Sequence, residues 1–296
     1  MSMYVIDFSE PEWLINYYHL IGFVSVLLNS FGIYLLQFQC EKLGRFRYWL
    51  LLYQLTCFAT DLHFTFLFQP VPLFPLYAGY IVGYLWKWFD VPLFYSLILF
   101  YFLIALQFVL LVLSFAKKHR TIATLTDGFK FPKLVDVVYF FLFITASVCA
   151  AVLFIPVRLS PNWNISESGA FVIAPLTIIV VAIFRTMHHL KRKISPVTYR
   201  KHSEAVRCLF VQVTTAVLAI SPLLSLSVAL MLRYRYAQFL SEICLAWFVS
   251  HSSLNLLSLL IFFPPFKAFM KKHLLRFLSK SNRVKEKVSA ITVHLA

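Results

Sequence analysis

The chain has 296 residues, 60% of them hydrophobic and only 13% charged, with a formal net charge of +15. A soluble domain carries about 25% charged residues, so these proportions exclude a soluble enzyme, a disordered chain and a fibrous protein. They also exclude nucleic-acid binding, because the basic residues lie in short segments beside apolar runs and not on one water-exposed face.

Residues 1–16 contain Asp7, Glu10 and Glu12 but no Lys or Arg, so the basic start of a cleavable signal peptide is missing and the first apolar helix is expected to act as its own insertion signal. A bilayer core of about 30 Å needs about 20 apolar residues in a helix. Seven stretches meet that length: Tyr18–Phe38, Tyr48–Phe68, Val91–Phe115, Leu134–Pro156, Ser168–Met187, Cys208–Leu232 and Ala237–Phe263. All are expected to be helical, because unpaired backbone groups in lipid are too costly. Between the second and third, Leu73–Trp86 is apolar but only 14 residues long and contains Pro75, Gly79 and Gly83. It reads as an outer cap lying in the interface, or as extensions of its neighbours. After Pro264-Pro265, apolar residues at 266, 269, 270, 274, 277 and 278 alternate with Lys267, Lys271, Lys272 and Arg276. That spacing predicts a basic amphipathic helix over 266–280, lying on the membrane surface. The fold class expected is an all-α seven-helix membrane bundle over 1–280, followed by a tail at 281–296.

Counting Lys and Arg segment by segment gives 23 on one side of this arrangement and 4 on the other. Cytoplasmic loops carry the excess of basic residues, so the N-terminus is expected outside and the C-terminus inside. Six or eight spans would break the alternation. Trp13, Tyr17 and Tyr18 at the outer end of the first span, and Tyr48 and Trp49 at the inner end of the second, suit interfacial aromatic belts. Asn164-Ile165-Ser166 is a glycosylation sequon in a loop expected outside. The five cysteines form no CxxC and no zinc spacing. They read as packed, reduced thiols, with Cys40 a candidate for acylation.

Ionisable groups within a span cost about 2.5–3.5 kcal/mol on insertion scales and are functional candidates for that reason. Asp61 in the second span must face the bundle interior, as an ion site or a conformational switch, with Asn29 of the first span a candidate partner. A hydrogen-bonded structural carboxyl is the plainer reading. His251 and Asn255 are four apart and share a helical face, where they can join an interhelical network or serve packing alone. Helical rise groups Gln107, Gln212 and Asn255 in the inner half, and Tyr95, Ser96, Ser225 and Glu242 in the outer half. The outer set are the ligand candidates; for Glu242, contact with water is the plainer role. No metalloprotease, nucleophile-elbow, phosphate-loop or cofactor motif occurs, so no catalytic residue, metal or cofactor is expected.

The segment Ser25–Trp86 resembles the opening third of nematode serpentine chemoreceptors of the Srh and Sri classes. The run Gln69-Pro70-Val71-Pro72-Leu73-Phe74-Pro75, followed by Ala78-Gly79-Tyr80, is distinctive. Ser250-His251-Ser252, Asn255 and the turn Pro265-Phe266-Lys267 resemble the family's closing motif, with Phe-Lys in place of Tyr-Arg. Gln212 and Pro222 fit the polar and proline positions of its sixth span. The outer loop at 157–167 is shorter than in the family. The third span ends Ala116-Lys117-Lys118-His119-Arg120, without an acidic residue before the arginine, and so departs from rhodopsin-like receptors.

What the resemblance implies is a chemosensory receptor on a plasma membrane, in a sensory cilium. It implies binding of a small odorant or pheromone outside and a heterotrimeric G protein inside. Pro222 and Pro264-Pro265 are then candidate bending points. The alternative is a small-solute transporter, which often shows internal repeats and paired broken helices; the two halves of this chain show no repeat.

Overall fold

The structure is a computed structural model that describes residues 7–73, 79–123, 141, 203–204, 206–215, 217–218 and 236–272. The expected spans 134–156 and 168–187 lie outside the described residues except for residue 141. Asn164, Pro222, Ser225 and residues 273–296 also lie outside them.

The first helix starts at Pro11. Proline lacks the N–H that a helix start does not use, and its carbonyl accepts bonds from Leu14 at 2.9 Å and Ile15 at 3.2 Å. α1 (Glu12–Phe38) thus begins well before the expected Tyr18, with Glu12 complementing the dipole in its first turn. α2 (Phe46–Leu62) does not end where its α-helical geometry ends. It runs on as a π-helical segment, His63–Phe68, closed by a 3.1 Å bond from the Gln69 amide to the Phe64 carbonyl. Gln69 then turns the chain with φ of 45°.

The ambiguous cap is a small hairpin. β1 (Pro70–Pro72) pairs antiparallel with β2 (Gly79–Ile81), Val71 opposite Tyr80, and α3 (Tyr84–Phe89) follows. It is therefore neither a span nor an extension of its neighbours. Gly83 lets this cap approach the end of the second span, for a Cβ there would lie 2.3 Å from the Leu67 carbonyl oxygen.

α4 (Leu93–Ala123) outlasts the expected Phe115 because nothing in Ala116–Ala123 breaks a helix. Its basic end rests on the start of α2, with the Lys117 ammonium 5.3 Å from the Trp49 ring and the Lys118 ammonium 5.2 Å from the Phe46 ring. α5 (Val206–Thr215) is a short apolar helix. The last span is broken: α6 (Ala237–Val249) and α7 (His251–Phe262) meet at Ser250 with a bend of 41°. No proline causes it. Instead the Ser250 hydroxyl donates to the Ala246 carbonyl at 2.9 Å, and the His251 ring meets the Phe248 carbonyl at 3.0 Å, so side chains compete with the backbone ladder. At the proline pair the helix stops at Phe262 and resumes as α8 over 264–272. Phe266, on the expected apolar face, is fully buried, while Lys267, Lys271 and Lys272 are exposed.

Among the described residues three helices are long and apolar enough to cross a bilayer, and the bent pair makes a fourth span. α1 packs on α2 and α7, and α2 on α4. Two apolar cores result. One, at the pole where α1 begins, gathers Leu14, Tyr18, Phe64, Phe68, Phe248 and Val249. The other, at the opposite pole, gathers Leu36, Leu50, Tyr53, Leu111, Leu209 and Phe266 among others. The aromatic residues opening α1 are not simply a lipid-facing belt. Tyr18 is fully buried and donates to the Pro70 carbonyl at 2.9 Å, which ties α1 to the cap.

Cys40 sits in the second core at 1% exposure, and burial pushes its thiol up to about 12. A thiol buried and raised in this way is a poor nucleophile at neutral pH. Maleimide labelling at pH 7.5 is expected to spare Cys40 in the native protein and to modify it after denaturation; rapid native labelling contradicts this packing.

Candidate functional site

Between the two cores lies a polar layer built by three helices. Asn29 and Ser25 are one turn apart on α1, and both face α2. The Asn29 amide nitrogen donates to the Ser25 carbonyl at 3.0 Å, to the Ser25 hydroxyl at 2.7 Å and to Asp61 Oδ2 at 3.1 Å. The Ser25 hydroxyl donates to the same Asp61 oxygen. Asn29 Oδ1 accepts from Gln54 Nε2 of α2 and, at 3.2 Å, from the Ser252 hydroxyl of α7. Asn29 thus uses its whole hydrogen-bonding capacity to hold α1, α2 and α7 together. Every member of this layer is at most 3% exposed. A carboxyl in so dry a place is tolerable only because these donors replace water.

The layer lies directly before the π-helical segment. The Thr65 hydroxyl donates to the Asp61 carbonyl at 2.7 Å and Gln69 Nε2 donates to the Thr65 carbonyl at 2.7 Å, so side chains take up backbone groups that the wider turn frees. Segments of this kind are frequent at functional sites.

The other sequence candidates are divided among different partners. Gln107 of α4 donates to the Thr60 hydroxyl of α2, one residue before Asp61. Asn255 of α7 accepts from Thr215 of α5 at 3.0 Å. His251 makes no such bridge; its bond stays within its own span at the bend. Gln212 is buried on the same helix as Thr215, α5, and its Oε1 has no hydrogen-bond partner among the described residues. The Thr215 hydroxyl also meets the Gln212 main-chain carbonyl at 3.1 Å, so Gln212 and Asn255 share Thr215 while Gln107 is held by Thr60.

At the pole where α1 begins, Glu242 of α6 is 5% exposed and accepts from the Trp13 indole at 3.0 Å. Gln238, one turn earlier, exchanges two bonds with the backbone of Asp7, at 2.8 and 2.7 Å. The Tyr80 hydroxyl donates to the Ser9 carbonyl at 3.1 Å. The chain ahead of α1 is thus strapped across the end of α6 and onto the cap. Tyr17 meets Ser250 at the bend through their hydroxyls.

Tyr95 is 62% exposed, whereas Ser96 is 1% exposed. Adjacent residues lie about 100° apart around a helix, so the two cannot both face inward. Ser96 sits against the π-helical segment, its carbonyl accepting from His63 Nε2 at 2.9 Å. Around that junction stand Phe64, Phe68, Phe100 and Phe248, with ring centroids 5.0 to 6.1 Å apart. Sequence reasoning passed over Ser25 and Gln54, and named His63 and Ser252 without a role in this layer or junction. Only the four-residue spacing of Ser25 and Asn29 signalled the first.

Among the described residues no group of three or more His, Cys, Asp or Glu is arranged to hold a metal ion. Comparison with family models matches the chain to the serpentine type 7TM GPCR chemoreceptor Sri model, over residues 4–166 and 163–270. Neither a curated protein nor a solved structure matches it. The match makes the described spans part of a seven-helix membrane bundle, a multi-pass protein of the plasma membrane. The apolar helices, the polar layer and a match running almost from end to end lead to one conclusion: the chain belongs to the Sri family of serpentine seven-transmembrane chemoreceptors.

Proposed function

We propose that this chemoreceptor binds a small external chemical at the pole where α1 begins and passes the event to a heterotrimeric G protein at the other. The observation that carries the reading is the polar layer of Asp61, Asn29, Gln54 and Ser252, which ties α1, α2 and α7 midway between the poles. It offers what a switch needs, a buried set of bonds that can be exchanged as a unit. Phe248 of the aromatic junction lies two residues before the bend at Ser250, and Ser252 lies two residues after it. A ligand held against Phe248 therefore acts on α7 through a short length of chain. It shifts the population only by its differential affinity for the two arrangements.

Orientation follows from the same picture. Arg45, Arg47, Lys117, Arg120, Lys267, Lys271 and Lys272 belong to the ends of elements that share the second core, and among the described residues the first pole has Lys87. The excess of basic residues supports placing the second pole in the cytoplasm, with the N-terminus outside. Sri membership supports a cilium of a sensory cell as the site of action.

The test is expression with a G-protein reporter and a screen of volatile and soluble chemicals. At least one compound is expected to raise the reporter signal in a dose-dependent way. The bend in the last span also favours a second reading, a small-solute transporter, because broken helices serve transport sites. Solute flux in proteoliposomes without any reporter response selects that reading and rejects the first.

A further inference from the structure

The junction between the π-helical segment and α4 holds hydrogen-bonding capacity that no described residue uses. His63 and Ser96 are 2% and 1% exposed. The Ser96 carbonyl can only accept, so the 2.9 Å contact puts the His63 proton on Nε2. That leaves Nδ1 of the neutral ring as an acceptor, and neither it nor the Ser96 hydroxyl has a partner among the described residues. Buried polar groups are almost always paired, so two orphans on residues already in contact need an explanation. Their surroundings are aromatic. Phe68 stacks on the His63 ring at 5.5 Å with planes 10° apart. Phe100, one turn after Ser96 on the same face of α4, contacts Phe64 and Phe68 of the π-helical segment and Phe248 of α6.

Resting on the receptor reading above, we propose that the orphaned atoms of His63 and Ser96, within the Phe64–Phe68–Phe100–Phe248 rings, form the polar end of the ligand site, and that its ligands are small neutral aromatic molecules carrying one hydroxyl, phenols and arylmethyl alcohols. A hydroxyl is a single group that donates to Nδ1 and accepts from Ser96 at once. Rings of the ligand pack edge-to-face or offset against those of the cage. An ion is disfavoured, since burying a charge without a partner is costly. A ligand seated here touches Phe248 directly, next to the bend that leads to Ser252.

The test uses the full chain in phospholipid nanodiscs, with p-cresol and p-xylene as probes of matched shape that differ in the hydroxyl, and binding read by saturation-transfer NMR. p-Cresol is expected to bind about tenfold more tightly than p-xylene, the size of one or two neutral hydrogen bonds. Ser96→Ala keeps the carbonyl that anchors His63 and is expected to weaken p-cresol about five- to tenfold while leaving p-xylene unchanged. Ser96→Thr restores the preference. Phe100→Leu weakens both probes, and serves if Ser96→Ala fails to fold; Leu99→Ala, outside the cage, changes neither.

Equal affinity for the two probes overturns the proposal. So does undiminished p-cresol binding by Ser96→Ala, which assigns the orphaned atoms to water. A reporter response to other chemicals without this hydroxyl discrimination overturns the ligand class and leaves the receptor reading standing. Discriminating p-cresol binding with no reporter response to any compound does the reverse.

Discussion

Replacing Asp61 by Asn is expected to leave surface expression close to that of the native receptor and to change the potency of an activating compound by about tenfold or more, equivalent to about 1.4 kcal/mol. The amide has the shape of the carboxyl. Its oxygen still accepts from the Ser25 hydroxyl and from the Asn29 amide, the two bonds that converge on one carboxylate oxygen. What it loses is the capacity to change charge and protonation when the helices rearrange, so the effect falls on switching and not on folding. Dose–response curves beside surface labelling of the same cells check this. A parallel loss of both readouts makes Asp61 a structural residue. Asn29→Leu is the contrasting variant: it strips partners from Ser25, Gln54, Asp61 and Ser252 together. Each buried polar group left alone costs about 1–3 kcal/mol, so that variant is expected to lose folded protein outright.

Gly83→Ala is expected to destabilise the protein by about 2–3 kcal/mol, at the upper end for overpacking. The backbone there is extended, with φ of −71° and ψ of 169°, a conformation open to any residue, so the cost is purely steric. The added carbon would meet the Leu67 carbonyl oxygen at 2.3 Å, the Leu67 carbonyl carbon at 2.5 Å and the Phe68 carbonyl carbon at 2.7 Å. All three are main-chain atoms, which cannot rotate away as a side chain would. The strain passes into the π-helical segment that carries His63. A fall in the thermal midpoint of purified protein, with weaker ligand binding, is the expected result; an unchanged midpoint means that the cap is not seated on Leu67.

The spans were legible in the sequence where their signal is local. Hydropathy placed α1, α2 and α4 to within a few turns, and the cost of a carboxyl in lipid pointed to Asp61 and to Asn29 beside it. The ends moved for local reasons as well: Pro11 starts a helix, and no breaker follows Phe115. The features that shape the candidate site depend on long-range partners. A π-helical turn inserts one residue into the ladder, and nothing in His63–Phe68 announces it; the side chains of Thr65 and Gln69 stabilise it only once the cap folds against Leu67. The bend at Ser250 arises from hydroxyl and imidazole groups whose choice of acceptor follows packing against Tyr17. Tyr95 and Ser96 have nearly the same depth but different directions, because depth follows from rise along a helix whereas direction needs the phase that packing fixes.

α1 is one unbroken rod beside a partner made of two. Its first turns grip α6 through Trp13 and the bend at Ser250 through Tyr17, and its middle grips α7 through Asn29 and through Gly32, where an added Cβ would lie 2.5 Å from Leu256. The lower grip is dry and close; the upper one runs through the exposed Trp13 and the half-buried Tyr17 and Ser250. Any straightening or sharpening at Ser250 has to release one of the two, and the upper grip yields more cheaply. α6 is then the lever and α7 the mount, so movement in the last span is a swing about a fixed lower half, with α1 as the straightedge against which it is measured.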